Sequence, residues 1–305
     1  MSGIPFYIVD VFANQKYEGN QLAVFLDLDN QLSEQQMQRM AREINFAETT
    51  FIKENKDNQR FVVRIFTPEH EVPFAGHPSL GTSYIIARFL TPSAPASLVL
   101  ELAHSDIAIS ILDPANLEDS IFYMQQAQPE FGNIFTHEVI SEGLGIALSH
   151  LDTSLPVQEI STGLPYILIP LQSLAAIDSL SLDYQSFKAF LLANGKYRTN
   201  SPTGHSTSLF FFTSETSNAD SDYNTRMFLI ENDKLSEDAA TGSANGCLLA
   251  YLLTYRTTTI NAIVEQGFQM GRHSYLYLDG QLTNDWFTIK VGGRTKLIAE
   301  GIWHG

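Results

Sequence analysis

The stretch from Phe74 to Gly81, FAGHPSLG, constrains this chain most. It follows an apolar run with strand character, FVVRIF (Phe61 to Phe66), and a short loop, TPEHEVP. It precedes a helix-like run, TSYIIARFL. A Gly-His pair therefore stands where a loop meets a helix N-terminus, and the backbone amides and positive dipole end of such a place favour an anion. The layout returns far downstream. RMFLI (Arg226 to Ile230) reads as a strand, NDKLSEDAATGSANG as the loop and CLLAYLL as the helix, with Ala75-Gly76-His77 lining up on Thr241-Gly242-Ser243. Two loop-to-helix anion sockets in one chain predict two related halves serving one small acidic ligand. Chance alignment of two glycine-containing loops is the competing explanation.

The chain has 305 residues, room for two domains of ordinary size, and 44% of them are hydrophobic, enough for their cores. Asp and Glu number 34 against 18 Lys and Arg, a net charge of −16. That balance argues against nucleic acid or an anionic membrane as the main partner, because nothing neutralises a row of phosphates. A small anion stays compatible with it, since a local socket suffices. The N-terminal MSGIPFYIVDVF has no basic leader and no long apolar core, so no signal peptide is expected. No apolar run approaches the ~18 residues of a membrane helix. The single cysteine, Cys247, rules out an internal disulfide and a multi-cysteine metal site, and a cytoplasmic setting is expected.

PFYIVDVF, LAVFLD, TTFIK and FVVRIF read as strands, and SEQQMQRMAREI as an amphipathic helix with Ser33 and Gln36 in a capping box. SLVLEL, IAISIL and SIFYMQQ are further strands. QAQPEFGN (Gln126 to Asn133), with its Pro and Gly, reads as the loop between two halves. Beyond it come helices near Glu138 to Leu148, Ser173 to Asp178 and Tyr184 to Asn194. Strands are expected at VQEIS, YILIPL, SLFFFT, RMFLI, NAIVEQ, SYLYLD, DWFTIK and KLIAEGIW. RTNSPTGHST (Arg198 to Thr207) and TSETSNADSDYN read as exposed loops.

Candidate chemistry gathers at a few places. Glu48 lies among Phe46, Ala47, Phe51 and Ile52, and a carboxylate among apolar groups is suited to general acid/base work. The plainer alternative is a glutamate on the solvent side of a strand. His77 at the helix start either donates to a substrate carboxylate or satisfies local backbone. Asp238 either caps the following helix or accepts from an ammonium or hydroxyl of a substrate. Ser243 and the amides of Gly242 and Ser243 make a carboxylate nest. His70 and Glu71 lack the spacing of a zinc motif. Gly204-His205-Ser206-Thr207-Ser208 lacks the last glycine of a nucleophile elbow and precedes a strand, which excludes a serine hydrolase. GLGIAL (Gly143 to Leu148) falls short of a dinucleotide fingerprint, no phosphate-loop lysine motif occurs, and Cys247 sits on an apolar helix run as a structural residue.

The segments VDVFANQKYEGNQLAVFLD, NFAETTF, RIFTPEHEVPFAGHPSLGT, YMQQAQPEFG, STGLPYILIPL, EDAATGSANG and EQGFQMGRHS run in order across nearly the whole chain. With them the chain resembles the PhzF-like family of phenazine-biosynthesis isomerases, relatives of diaminopimelate epimerase. The resemblance implies an α+β fold of two similar halves, each a barrel-like, mostly antiparallel sheet around a central helix. It implies an N-terminal half of residues 1–127 completed by a C-terminal strand near 290–305, a second half of 128–289, and an active-site cleft between them. It also implies proton transfer on a small unsaturated cyclic or amino-acid-like carboxylate, with no cofactor and no metal, by a homodimer. Glu48 matches the family's acid/base, His77 and Asp238 its other catalytic positions, and Asn20, Gly76, Gly242 and Ser243 its substrate-binding positions. Relatives that epimerise amino acids carry a cysteine at each helix start. Those places fall near Ala75 and near Ala240 or Thr241, so a two-thiol racemase is excluded. The family usually has proline where Ala239 stands, which bears on the loop holding Asp238. A catalytically silent ligand-binding homologue is the alternative of a different class, and an amino-acid epimerase or racemase without the thiol pair is a lesser one.

Overall fold

The computed structural model describes residues 3–57, 59–103, 105–199, 206–231 and 233–304. The look-alike elbow at Gly204-His205 and most of the polar 198–207 segment lie outside them. The chain divides into two compact units, Met1–Gln125 with Gly292–Gly305, and Gln126–Val291. The first unit holds β1 (Ile4–Val11), β2 (Asn20–Leu26), α1 (Glu34–Ile44), β3 (Glu48–Asn55), β4 (Arg60–Phe66), β5 (Glu71–Val72), α2 (Gly76–Ile85), β6 (Ser97–Glu101), β7 (Asp106–Ile111) and β8 (Phe122–Gln125). Then come β9 (Glu130–Phe135), α3 (His137–Leu144), β10 (Val157–Ser161), β11 (Pro165–Pro170), α4 (Leu174–Asp178) and α5 (Tyr184–Ala193). Next along the chain are β12 (Ser208–Thr213), β13 (Tyr223–Glu231), β14 (Lys234–Asp238), α6 (Gly242–Tyr255), β15 (Thr259–Gln266), β16 (Ser274–Thr283) and β17 (Trp286–Gly293). The last strand, β18 (Thr295–Trp303), returns to the first unit.

Each unit repeats one pairing series. In the first, β1 is antiparallel to β18 and β2, β2 is parallel to β3, and β3 is antiparallel to β4. Strand β4 is antiparallel to the short β5 and parallel to β6, which is antiparallel to β7. In the second, β10 is antiparallel to β9 and β11, β11 is parallel to β12, and β12 is antiparallel to β13. Strand β13 is antiparallel to the short β14 and parallel to β15, which is antiparallel to β16. The parallel step across α2 in one unit and α6 in the other is the crossover that a helix makes.

Both crossover helices are surrounded. Every residue of α2 from His77 to Ile85 is buried, as are Gly242 and Ala244 to Leu253 of α6. A helix buried on all sides carries no polar stripe, which is why neither segment shows one. Contact is close: a Cβ on Gly81 would lie 2.7 Å from both Leu22 Cδ2 and Val11 Cγ2. A buried hydrogen bond of 2.8 Å joins Thr50 Oγ1 of β3 to Thr82 Oγ1 of α2. The other helices cover outer sheet faces. Helix α1 has the expected capping box at Ser33 and Gln36 and packs Met37, Met40 and Ala41 on Phe25, Phe51 and Phe66. Ile140, Leu144, Phe187, Phe190 and Leu191 of α3 and α5 pack on Ile167, Ile169, Leu209 and Phe211.

One side-chain module fixes which residues of the two halves correspond. Phe66 pairs with Glu71, and Phe228 with Glu237. The Arg64 guanidinium forks onto Glu71 at 2.7 and 2.5 Å, and Arg226 onto Glu237 at 2.8 and 2.8 Å. Arg64 also lies 5.2 Å over the Phe66 ring, and Arg226 lies 4.8 Å over Phe228. From each glutamate to the helix start the spacing is identical, so Val72 corresponds to Asp238, Ala75 to Thr241, Gly76 to Gly242 and His77 to Ser243. The sequence echo is therefore a structural repeat, in the alignment read from the sequence.

Some expectations shift. The second half of the linker-like 126–133 stretch is strand β9, and the loops ahead of α2 and α6 contain β5 and β14. These short strands have no apolar alternation to announce them, and the arginine forks and backbone pairing hold β5 and β14. The TSYIIARFL helix ends in a π-helical turn, Ile86–Leu90. Among the described residues no helix is long and apolar enough to cross a membrane. Replacing Gly81 by leucine forces α2 off β1 and β2. It is expected to lower stability by about 1–3 kcal/mol in urea unfolding, the usual cost of overpacking.

Candidate active site

The helices differ at their N-termini. Ser33, Thr136, Ser173 and Asp183 each accept a backbone amide of the helix they precede. Ala75 and Thr241, the N-cap residues of α2 and α6, make no such side-chain bond. No N-cap side chain thus answers the positive end of either buried helix, where the helix dipole favours an anion.

In the first unit, β2, β3 and α2 bring several candidates together. Gly19 has φ of +68°, and a Cβ there would stand 2.2 Å from the Val11 carbonyl oxygen, so only glycine makes this turn. The turn sets Asn20, 8% exposed, as the first residue of β2. The backbone of the next residue, Gln21, is hydrogen-bonded to the His77 imidazole. Glu48 opens β3 opposite Leu22. His77 Nε2 lies 3.4 Å from Glu48 Oε2. Since Nε2 takes no protein hydrogen bond, the Gln21 carbonyl accepts from Nδ1. Burial pushes the imidazole down to about 3 from its ordinary 6.5, with the Gln21 bond opposing, so it is neutral at physiological pH.

The surroundings of Glu48 differ from those its sequence neighbours suggest. Phe46 and Phe51 belong to the cluster beneath α1. Strand alternation turns Glu48 and Thr50 the other way, toward His77 and Thr82 of α2. The carboxylate is 20% exposed, and its company is an imidazole and a helix start.

In the second unit, Asp238 ends β14 and accepts from Thr241 Oγ1 at 2.5 Å. Thr241, not Asp238, occupies the N-cap position of α6. Gly242 and Ser243 open the helix, and Ser243 Oγ lies 2.6 Å from the Tyr166 hydroxyl. Ala239 is 7% exposed. Gln21, Tyr166, Thr241, Asn245 and Gln266 are contributors that sequence reasoning missed. All five stand inside the segments that carry the family resemblance, which marks the stretches but not the single side chains. Cys247 is structural: burial pushes its thiol up to about 12, and its neighbour is Thr162 Oγ1 at 3.6 Å. Glu71 is committed to Arg64. Among the described residues no group of three or more His, Cys, Asp or Glu gathers as for a metal.

A family model described as phenazine biosynthesis-like protein matches residues 9–301. The chain is 30% identical over 299 residues to trans-2,3-dihydro-3-hydroxyanthranilate isomerase of Pseudomonas chlororaphis, covering 97% of this chain and 98% of that protein. Among solved structures it is similar to a phenazine biosynthesis protein of the PhzF family from Bacillus anthracis. That likeness has a TM-score of 0.85 and 26% identity over 99% of both chains. A probable proline racemase from Agrobacterium radiobacter has a TM-score of 0.59 at 12% identity, covering 98% of this chain and 92% of that one. This second likeness shows the fold alone. The two-unit α+β architecture is the diaminopimelate epimerase-like fold expected from the sequence.

The buried imidazole sets a pH dependence. The native state keeps His77 neutral down to about 3, whereas the unfolded chain protonates it near 6.5. Stability is therefore full above 6.5 and is lost as pH falls through that value, at about 1.4 kcal/mol per unit. His77→Gln lacks this term. From pH 7 to pH 5, wild type is expected to lose about 2 kcal/mol more than the variant in urea unfolding, and equal losses would refute a neutral buried imidazole.

Proposed function

The chain belongs to the phenazine biosynthesis-like family of isomerases, and on that premise we propose that it moves a proton between carbons of a small unsaturated cyclic carboxylate. The substrate would be an amino-acid-like acid of the dihydro-hydroxyanthranilate type. Glu48 is the proposed acid/base. The observation that carries this is the 3.4 Å approach of Glu48 Oε2 to His77 Nε2. With Nδ1 bound to the Gln21 carbonyl, Nε2 of the neutral ring is an acceptor. A second lone pair facing it repels, whereas a proton held between the two atoms makes the contact favourable. A proton taken from a substrate carbon thus has a holding place, and the same carboxyl returns it to another carbon. The route calls on no cofactor. Gly76 and Gly242, where backbone amides open α2 and α6, are proposed as substrate-binding positions, with Asn20 and Ser243 as further ones. Asp238 is assigned an amino or hydroxyl group of the substrate.

The test is deuterium incorporation in D2O, followed by NMR, over a panel of unsaturated cyclic acids that includes trans-2,3-dihydro-3-hydroxyanthranilate. Wild type is expected to exchange or isomerise at least one of them, and Glu48→Gln to slow this by roughly 10²–10⁴-fold. Binding without exchange would indicate a silent ligand-binding homologue. Exchange that survives Glu48→Gln would remove Glu48 from the role.

A further inference from the structure

We infer that Gln266, with Asn245, is the positioning residue that holds the Asp238 carboxylate ready as a hydrogen-bond acceptor, and so selects ring acids bearing an amino or hydroxyl donor. This rests on the role proposed for Asp238.

The hydrogen bonds around Asp238 run in one direction. Gln266 ends β15, and both it and Asn245 are 0% exposed. Gln266 Oε1 accepts from the Thr241 amide at 3.1 Å and from Asn245 Nδ2 at 3.0 Å. A backbone amide only donates, so this bond fixes which way the Gln266 side chain lies. Its Nε2 then donates to the Asp238 carbonyl at 2.9 Å and to Thr241 Oγ1 at 3.0 Å. Asn245 Nδ2 also donates to the Thr241 carbonyl, at 3.0 Å. The Thr241 hydroxyl accepts a hydrogen bond from Gln266 and donates its own to Asp238 Oδ2, 2.5 Å away. Asp238 meets this network as an acceptor, already aimed. Gly267 permits the approach. Its φ is +76°, and a Cβ there would lie 2.5 Å from the Ala239 carbonyl oxygen.

The repeat separates what the fold needs from what it does not. Asn224, four residues before Phe228, pairs with Glu265, and Val62, four before Phe66, pairs with Glu101. Gln266 therefore corresponds to Leu102, as Asp238 does to Val72, Thr241 to Ala75 and Asn245 to Ser79. Ser79 Oγ donates to the Ala75 carbonyl at 2.8 Å, the counterpart of the bond from Asn245 to the Thr241 carbonyl. The first unit makes the same turn into its buried helix with that bond, a leucine and a valine. The added amide and hydroxyl in the second unit occur where a carboxylate stands.

The test compares crystal structures and calorimetric binding of wild type, Gln266→Leu and Gln266→Glu, with 2-aminobenzoate and benzoate as probes. In Gln266→Leu the Asp238 carboxylate is expected to leave Thr241 Oγ1. Wild type is expected to prefer 2-aminobenzoate roughly tenfold, and Gln266→Leu to lose that preference while benzoate binding stays within about twofold. A merely structural role would weaken both acids alike. Gln266→Glu, equal in size, keeps the test should Gln266→Leu fail to fold. Its preference is expected to return as pH falls, because only the acid form offers a donor to Thr241. An Asp238 carboxylate unmoved by more than about 0.5 Å in Gln266→Leu, or an unchanged preference, would overturn the inference. Wild type that binds neither probe would count against the proposed function, while the crystallographic comparison would still decide whether Gln266 holds Asp238.

Discussion

A helix buried on every side has only its ends with which to do chemistry. Helices α2 and α6 are such helices, and the close seat of Gly81 on Leu22 and Val11 shows how little room their flanks leave. Most of their side chains are consequently apolar or small. The peptide dipoles still sum to a positive N-terminus, and at α2 and α6 no N-cap side chain answers it. The candidate residues of each unit collect there for that reason: Gly76 and His77 on one helix, Gly242 and Ser243 on the other.

The two units share a scaffold and differ in the polar residues it carries. The fork of Arg64 on Glu71, repeated as Arg226 on Glu237, fastens the short strand leading into each central helix. Arg226 is largely buried and also donates to the Ile177 and Leu180 carbonyls at 3.1 and 3.0 Å, so its charge is well satisfied. Such a pair left half-made would be costly, which makes the module a firm anchor for the helix start just beyond it. On this common frame the polar residues diverge. The first unit has an imidazole where the second has Ser243, and an apolar Val72 where the second has Asp238. At the head of β3 it has Glu48, where the matching register position of β12 is Ser208. The first copy holds the carboxylate and imidazole pair, the second a carboxylate held by a threonine hydroxyl.

Much of this was legible in the sequence. The strands and peripheral helices announced themselves through period-two and period-3.6 patterns, and the Ser33 capping box was read residue by residue. The Gly-His and Gly-Ser loops marked both central helices because glycine and small residues recur where a helix start is packed closely. The short strands β5, β9 and β14 were missed, since their pairing comes from partners distant in the chain. The setting of Glu48 was also misread. Phe51 lies close to it in sequence, but alternation sends that ring to the opposite sheet face; Phe46, in the bend before β3, packs on the same cluster as Phe51, and the neighbour of Glu48 is His77. Gln266 and Asn245 escaped notice because amides signal nothing until their partners are known.

The central claim is that His77 is a neutral imidazole whose Nε2 faces Glu48 as an acceptor. The most direct test is NMR of the ring nitrogens of ¹⁵N-histidine-labelled protein, with the His77 signal assigned by His77→Gln, from pH 5 to 8. A protonated Nδ1 and an unprotonated, acceptor-type Nε2, unchanged across that range, is the expected result. A ring that titrates near its ordinary value of 6.5, or carries its proton on Nε2, would contradict it.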